Sequence, residues 1–480
     1  MNATTSGNRC TDRLQPVRQA NPAWISLAIL VIAAMMAPCT QAGPDGGALR
    51  WVRHYNGFSN GADFARGVKV DSKGNILIFG QSLGDAQSYY DYVIRKYSPA
   101  GGLLWSQRIN GVDNNNGLDE PKAMTLDAQD NVIVTGLSLG TRGVGLPDIM
   151  TVKLDPNGVL KWKKRYFLGS TGHEVGNAVA ADAAGNVYVA GKGSSRANTY
   201  HDAVLIKYSP AGAQLWARSY DGPMKDNDEF LAIGVDTAGN AYVTGYATVS
   251  GLNFQDVIVR KYGPTGAVLW TRLYNGAASI EDWGEALTLD PQGNVIVTGS
   301  RGEGCSGNVC YSFLTLKYDP NGARKWVRIY NPLPQSDDLA HAVVANAKGE
   351  IYVTGESAWT SAFYDYATVK YSAAGAQLWV KRYDGPGKGD DKAYGLALDA
   401  AGNVLVTGAS YTSLAVYSDW ATLKYTPNGA VSWTNRYNGP GNQIDAAFGV
   451  AAGLDGSVYA AGFSNYPDTG DDMTLIKYAP

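Results

Sequence analysis

Carboxylates recur at two fixed places along this 480-residue chain, and their chemistry has to be weighed first. One series is Asp63, Asp119, Glu174, Asp228, Asp282, Asp338, Asp391 and Asp445. The other stands ahead of a repeated Lys-Tyr pair and is Asp91, Asp148, Asp202, Asp256, Asp365, Asp419 and Asp472, with Ser312 in the remaining place. Such a collar of hard oxygen ligands would suit Ca2+ or a cationic partner. An Asp present in every unit can equally accept backbone N–H groups and fix a loop. Repetition favours that construction role, because sites are usually grafted asymmetrically onto a scaffold.

Asymmetry is therefore the better guide. Downstream of each first-series acid the units diverge, through Arg66, Lys122, Asn177, Leu231, Glu285, His341, Tyr394 and Phe448. Glu285, His341 and Tyr394 fall in consecutive units and could supply an acid, a base and a donor. With Asp282, Asp338 and Asp391 beside them they form the candidate binding group at a channel mouth. The plain alternative is unconstrained variation on an exposed strand start. His54, His173, His201 and His341 show no metal-ligand spacing. No phosphate loop is present. No catalytic constellation is read and no cofactor is expected, Ca2+ being the one the acids would allow. Cys305 and Cys310, close together in an exported chain, are expected to form a disulfide.

The elements that would position these residues follow from the aromatics. Trp51, Trp105, Trp162, Trp216, Trp270, Trp326, Trp379 and Trp433 head eight copies of one unit. Each is followed at an even offset by Tyr55, Ile109, Tyr166, Tyr220, Tyr274, Tyr330, Tyr383 or Tyr437, which keeps both rings on one face of a strand. A strand from acid to small residue comes next, then a turn such as Asp71-Ser-Lys-Gly74-Asn75, then a strand such as Asn294-Val-Ile-Val-Thr-Gly299. A third strand ends on Lys96, Lys153, Lys207, Lys261, Lys317, Lys370, Lys424 or Lys477, each expected to pair with an acid or pack its stem on tryptophan. A hairpin such as Asp319-Pro-Asn-Gly322 leads back to tryptophan, with proline presetting φ and Gly322 free to take a positive one.

Four short strands per unit cannot bury their own faces, so the copies must stack. The array opens on a lone tryptophan strand and runs out after a third strand at Tyr478. Pairing the two removes both exposed edges. The sequence thus predicts an all-β, eight-bladed β-propeller of four-stranded antiparallel blades, closed by the Trp51 strand completing the last blade.

The pattern Asp…Val-Asp-x-x-Gly-Asn-Val-Tyr-Val-Thr-Gly…Asp…Lys-Tyr-x-Pro-x-Gly…Trp over residues 51–480 resembles the bacterial SBBP beta-propeller repeat family. That resemblance implies an extracytoplasmic propeller and little about activity. The Lys-Tyr-Asp-Pro-Asn-Gly-x-x-x-Trp hairpin also resembles the tryptophan-docking motif of eight-bladed quinoprotein propellers. The adjacent-cysteine pair of those enzymes is missing here, which puts quinone binding in doubt.

Residues 1–42 read differently. Arg9, Arg13 and Arg18 precede an apolar run from Trp24 to Ala37 and a small-residue site ending at Ala42, the pattern of a secretory signal. Residues 43–50 are expected to be a short linker and 51–480 the propeller. The expected location is extracytoplasmic, periplasmic or secreted, with membrane attachment only if the signal is retained. The net charge of −3 and the lack of a basic stripe argue against nucleic acid. Ser/Thr/Gly-rich loops carry Tyr89, Tyr90, Trp359, Phe363, Tyr364, Tyr411, Tyr417 and Tyr466, an adaptable surface. The expectation is a monomeric binding or scaffold module for a protein or polysaccharide ligand. The alternative is a lyase-, hydrolase- or quinoprotein-like enzyme acting at the channel mouth.

Overall fold

The computed structural model describes residues 46–480 apart from 85–88, 112–116, 140–145, 169–171, 195–199, 250–253, 277–279, 306–307, 361–362 and 412–416. The expected signal segment lies outside the described residues. Eight antiparallel sheets of four strands form eight blades. Blade 1 runs Asp63–Val70, Ile76–Leu83, Tyr90–Tyr97 and Leu103–Ile109, from the innermost strand to the outermost. Blades 2 to 7 repeat this order from Asp119, Val175, Asp228, Asp282, Asp338 and Asp391. Blade 8 takes three strands from Ala446–Ala452, Val458–Tyr466 and Gly470–Tyr478, and its fourth is Leu49–Tyr55.

That last pairing closes the ring as expected: Trp51 sits opposite Lys477 and Tyr55 opposite Met473. Ala479 N–H donates to Ala48 O at 2.8 Å. The strand begins at Leu49, so Leu49 and Arg50, read from sequence as linker, are its first residues. Innermost strands meet innermost strands of both neighbouring blades all the way round, blade 8 against blade 1 included. They therefore line a central channel.

Core clusters lie between blades. Tyr188, Ala190 and Leu205 of blade 3 pack with Phe230, Val243 and Ile258 of blade 4, and Trp216 covers their outer end. Burying Val, Ile, Leu and aromatic side chains this way stabilises by roughly 1.5–3 kcal/mol each.

Polar locks fix the stacking. Trp270 Nε1 and Lys261 Nζ of blade 4 both donate to Pro320 O in the blade 5 hairpin, at 3.0 and 3.1 Å. Trp105 and Lys96 do the same to Pro156 O of blade 2, both at 3.0 Å. At the seam, Lys477 Nζ reaches Pro99 O of blade 1 at 3.1 Å. Gly322 explains the hairpin composition: its φ is +82°, and a Cβ there would lie 2.8 Å from the Trp270 ring. Seven of the repeated lysines also find an acid, as expected, in the turn after the innermost strand of their own blade, while Lys261 lies over the Tyr242 ring at 4.8 Å. Lys96–Asp71 at 2.8 Å, Lys153–Asp127 at 2.7 Å and Lys317–Asp290 at 2.8 Å are buried examples.

Candidate functional site at the channel mouth

The diverging position has a structural identity. In every blade the register slips on the innermost strand, for example between Gly284 and Ala286 in blade 5 and between Ala340 and Ala342 in blade 6. The residue skipped is the diverging one: Arg66, Lys122, Asn177, Leu231, Glu285, His341, Tyr394 or Phe448. A β-bulge leaves its extra residue unpaired and re-aims its side chain, here toward the channel. The Gly of the Thr-Gly pair permits the slip. A Cβ on Gly299 would lie 1.9 Å from Trp283 O, the carbonyl that the bulge pushes across.

Two more positions per blade vary and join the ring. One is the residue after each first-series acid, and the other follows the second-strand Gly, paired directly across from it, as Glu229 with Tyr246 and Leu339 with Glu356. Together they split the mouth into two unlike walls. Across blades 6, 7, 8 and 1 runs a chain of rings: His341–Tyr394 at 5.7 Å, Tyr394–Phe448 at 5.4 Å, Phe448–Phe463 at 6.0 Å, Phe463–Phe64 at 5.0 Å and Phe64–Tyr90 at 6.1 Å. Blades 3 to 6 carry a polar network. Glu229, nearly fully buried, accepts from Tyr246 Oη at 2.6 Å, Asn177 Nδ2 at 2.7 Å and Lys192 Nζ at 3.1 Å.

Glu356 is also buried, facing Lys392 Nζ at 3.0 Å and His341 Nε2 at 3.9 Å. Burial pushes its carboxyl up, but His341 and Lys392 outweigh that and hold it below the usual range. Glu285 stands between these two pairs and makes no hydrogen bond or ion pair with a described residue. It opens to the channel yet is hemmed in by protein, and this burial raises its carboxyl, with Glu229 adding and His341 opposing.

Of the six candidate residues, Glu285, His341 and Tyr394 thus come together on adjoining bulges. Asp282, Asp338 and Asp391 do not join them in the channel; all three are fully buried at blade junctions. There they hold loops: Gly276 N–H donates to Asp282 and Gly385 N–H to Asp391, both at 2.5 Å, and Gly302 N–H adds a second bond to Asp282 at 3.0 Å. Gly57 and Gly439 bind Asp63 and Asp445 the same way, at 2.5 and 2.7 Å. The second series lies level with the first across the sheet, as in the row Asp63, Ser82, Asp91. In blades 1, 2, 6 and 7 a fourth-strand arginine clamps it, with Arg165 Nε on Asp148 and Arg436 NH2 on Asp419, both at 3.0 Å.

Asp365, Asp384 and Asp391 come within 4.8 Å of one another, the one group of acids among the described residues close enough for the Ca2+ that the sequence would allow. Their oxygens face Arg382 at 2.9 Å, Lys388 at 2.6 Å and Gly385 N–H at 2.5 Å respectively. Cys305 and Cys310 are disulfide-bonded in blade 5, as expected.

Glu229, Glu356, Lys192, Lys392, Phe64 and Phe463 were missed by sequence reading. Their signal was available: they differ from blade to blade while the acid and the glycine beside them repeat. Among the loop aromatics Tyr89 and Tyr417 are exposed. Tyr466 packs on His54 at 4.6 Å and Tyr364 lies over Lys392 at 4.9 Å. The Trp359 side chain lies outside the described residues.

No protein-family model matches the sequence. An uncharacterized WD repeat-containing protein of Acanthamoeba polyphaga mimivirus is 21% identical over 443 residues, covering 72% of this chain. The chain spans only 29% of that relative's length. Among solved structures, a polysaccharide lyase aligns over 90% of this chain and 99% of its own at 13% identity, with a TM-score of 0.46. The β-propeller domain of the trilobed protease from Pyrococcus furiosus aligns over 80% and 98% at 8% identity, with a TM-score of 0.42. At these levels neither speaks to what this chain binds.

Proposed function

We propose that this propeller is an exported binding module whose ligand, a glycan or a protein segment, enters the channel mouth. One observation carries the reading. The repeated residues are spent on locking blades and loops, while the positions that vary converge on the channel and set an aromatic wall against a polar one. Aromatic faces beside a few convergent polar groups are what a ligand site needs. Calorimetric titration with a panel of soluble oligosaccharides and peptides tests it. A ligand is expected that Phe448→Ala weakens about tenfold or more in a variant that remains folded at the assay temperature. A panel without binders, or a binder indifferent to Phe448, overturns the reading.

A second reading is enzymatic, and the adjoining Glu285, His341 and Tyr394 favour it. A carboxyl raised by burial beside an imidazole is suited to proton transfer. Turnover on a glycan panel that Glu285→Gln abolishes without weakening substrate binding would support it; equal turnover in the variant would reject it.

A further inference from the structure

The charges along the channel do not balance locally. At the three varying positions of each blade, nearly every charge has a partner of opposite sign. Lys122 meets Glu120 at 2.7 Å, Lys192 meets Glu229 at 3.1 Å and Lys392 meets Glu356 at 3.0 Å. Two charges are left over. Glu285 belongs to blade 5, and Arg66 to blade 1 on the opposite side of the ring. Arg66 has only the neutral Gln81 Oε1, at 3.1 Å, and its Nε is buried with no acceptor.

A third unmatched charge sits on the same strand as Arg66. Lys69 lies further along Asp63–Val70 and makes no hydrogen bond or ion pair with a described residue. At its level the other innermost strands place small uncharged residues such as Thr125, Thr288, Val344 and Ala451. Lys69 opens to the channel, and burial lowers its amine below the usual lysine range. On its channel-facing positions the innermost strand of blade 1 therefore presents two cations without a paired anion, and the ring chain Phe64, Phe463 and Phe448 begins on that same strand.

We propose that blade 1 is an anion subsite: the channel takes a ligand whose carboxylate or phosphate sits between Arg66 and Lys69 while its ring lies against Phe64, Phe463 and Phe448. Arg supplies a forked donor and Lys a point charge, the pair of donors an oxyanion accepts best. Enclosure strengthens that attraction over its value in water. Glu285 on the far wall repels a second negative charge and so orients the ligand. This deepens the channel-mouth reading above and depends on it.

Titration of the full protein with benzoate and with benzamide, its neutral counterpart of the same shape, tests the subsite. Tri-galacturonate and its methyl ester form a second arm that separates an acidic sugar from an aromatic acid. An acid is expected to bind about tenfold or more tighter than its neutral counterpart. Arg66→Gln and Lys69→Met should each erase most of that preference, and Lys122→Gln, which removes an equal but already paired charge, should not. Equal binding of acid and neutral form, no binding in either arm, or a preference that survives Arg66→Gln overturns the subsite. Should neutral rings bind equally well and be lost only in Phe448→Ala, the channel-mouth reading stands and the anion subsite alone falls.

Discussion

One loop breaks the rule that holds the others. The residue whose N–H serves the first-series acid is Gly276 for Asp282 and Gly385 for Asp391, but the equivalent position before Asp338 is Pro332, which has no N–H. No backbone N–H of the described residues reaches the buried Asp338 carboxylate, and its pKa is pushed up to about 7, burial being the main cause and the Ser357 hydroxyl opposing it. Asp282→Ala should therefore cost about 1–3 kcal/mol by stranding two amides, whereas Asp338→Ala, which strands none, should cost less than about 1 kcal/mol. Urea unfolding of the two variants checks this; equal losses would contradict it.

The same acids set a pH dependence. Burial above all raises Asp63, Asp119, Asp282, Asp391 and Asp445 to about 6 and Asp228 to about 7. An unfolded Asp titrates near 3.9, so between these values the folded chain holds more protons. Stability from these groups is complete below about 3.9 and is lost as pH rises through 6 to 7. Asp71, Asp127 and Asp290 work in the opposite sense: burial would raise them, but lysine and asparagine partners pull them down, and their contribution disappears in strong acid. The melting temperature should be higher at pH 5 than at pH 8, which a calorimetric pH series measures. A flat or inverted profile would reject the assignment.

At the scale of the element, the hairpin and the tryptophan of the preceding blade form one device. Gly322 and Gly293 both have positive φ, +82° and +75°, but only Gly322 faces a ring, Trp270 at 2.8 Å; Gly293 meets nothing nearer than Pro320 at 3.5 Å. Alanine at either position incurs the backbone strain of about 1 kcal/mol, and only Gly322→Ala also has to move a blade. Thermal denaturation should show the larger drop for Gly322→Ala. The device was half legible. Lys-Tyr-Asp-Pro-Asn-Gly and the following tryptophan announce strand, turn and strand. That Trp270 reaches forward to Pro320 rather than back into its own blade depends on stacking, which no local pattern encodes. The bulge was hidden for a related reason. A spacing from Asp282 to Ala286 fits a straight strand as well as a slipped one, and only the facing strand reveals the difference.

For the whole molecule, the seam is where the ring is tested. Removing residues before Gly57 deletes the strand Leu49–Tyr55, strips Gly470–Tyr478 of its outer partner and uncovers Trp433, against which Gly47 packs. Such a truncation should melt well below the full chain and expose an aggregating edge, which light scattering on heating would detect. An unchanged melting profile would mean that closure contributes little. Eight units were legible because one acid, one small residue and one Lys-Tyr or Lys-Leu pair recur after each repeated tryptophan from Trp51 to Trp433. The two walls of the channel were not, since they arise from residues such as Tyr394, Phe448 and Phe463, which lie on different strands and blades and only meet once the ring is formed.

The slipped residue in each blade has no counterpart across the sheet, so its identity is invisible to the pairing that builds the wheel. These sites are thereby freed from the strand ladder and can be rewritten one at a time, except where, as at Asn177 and His341, the side chain partners a buried carboxylate. A lineage carrying this frame could change what it recognises by drift at those sites without passing through an unstable ancestor.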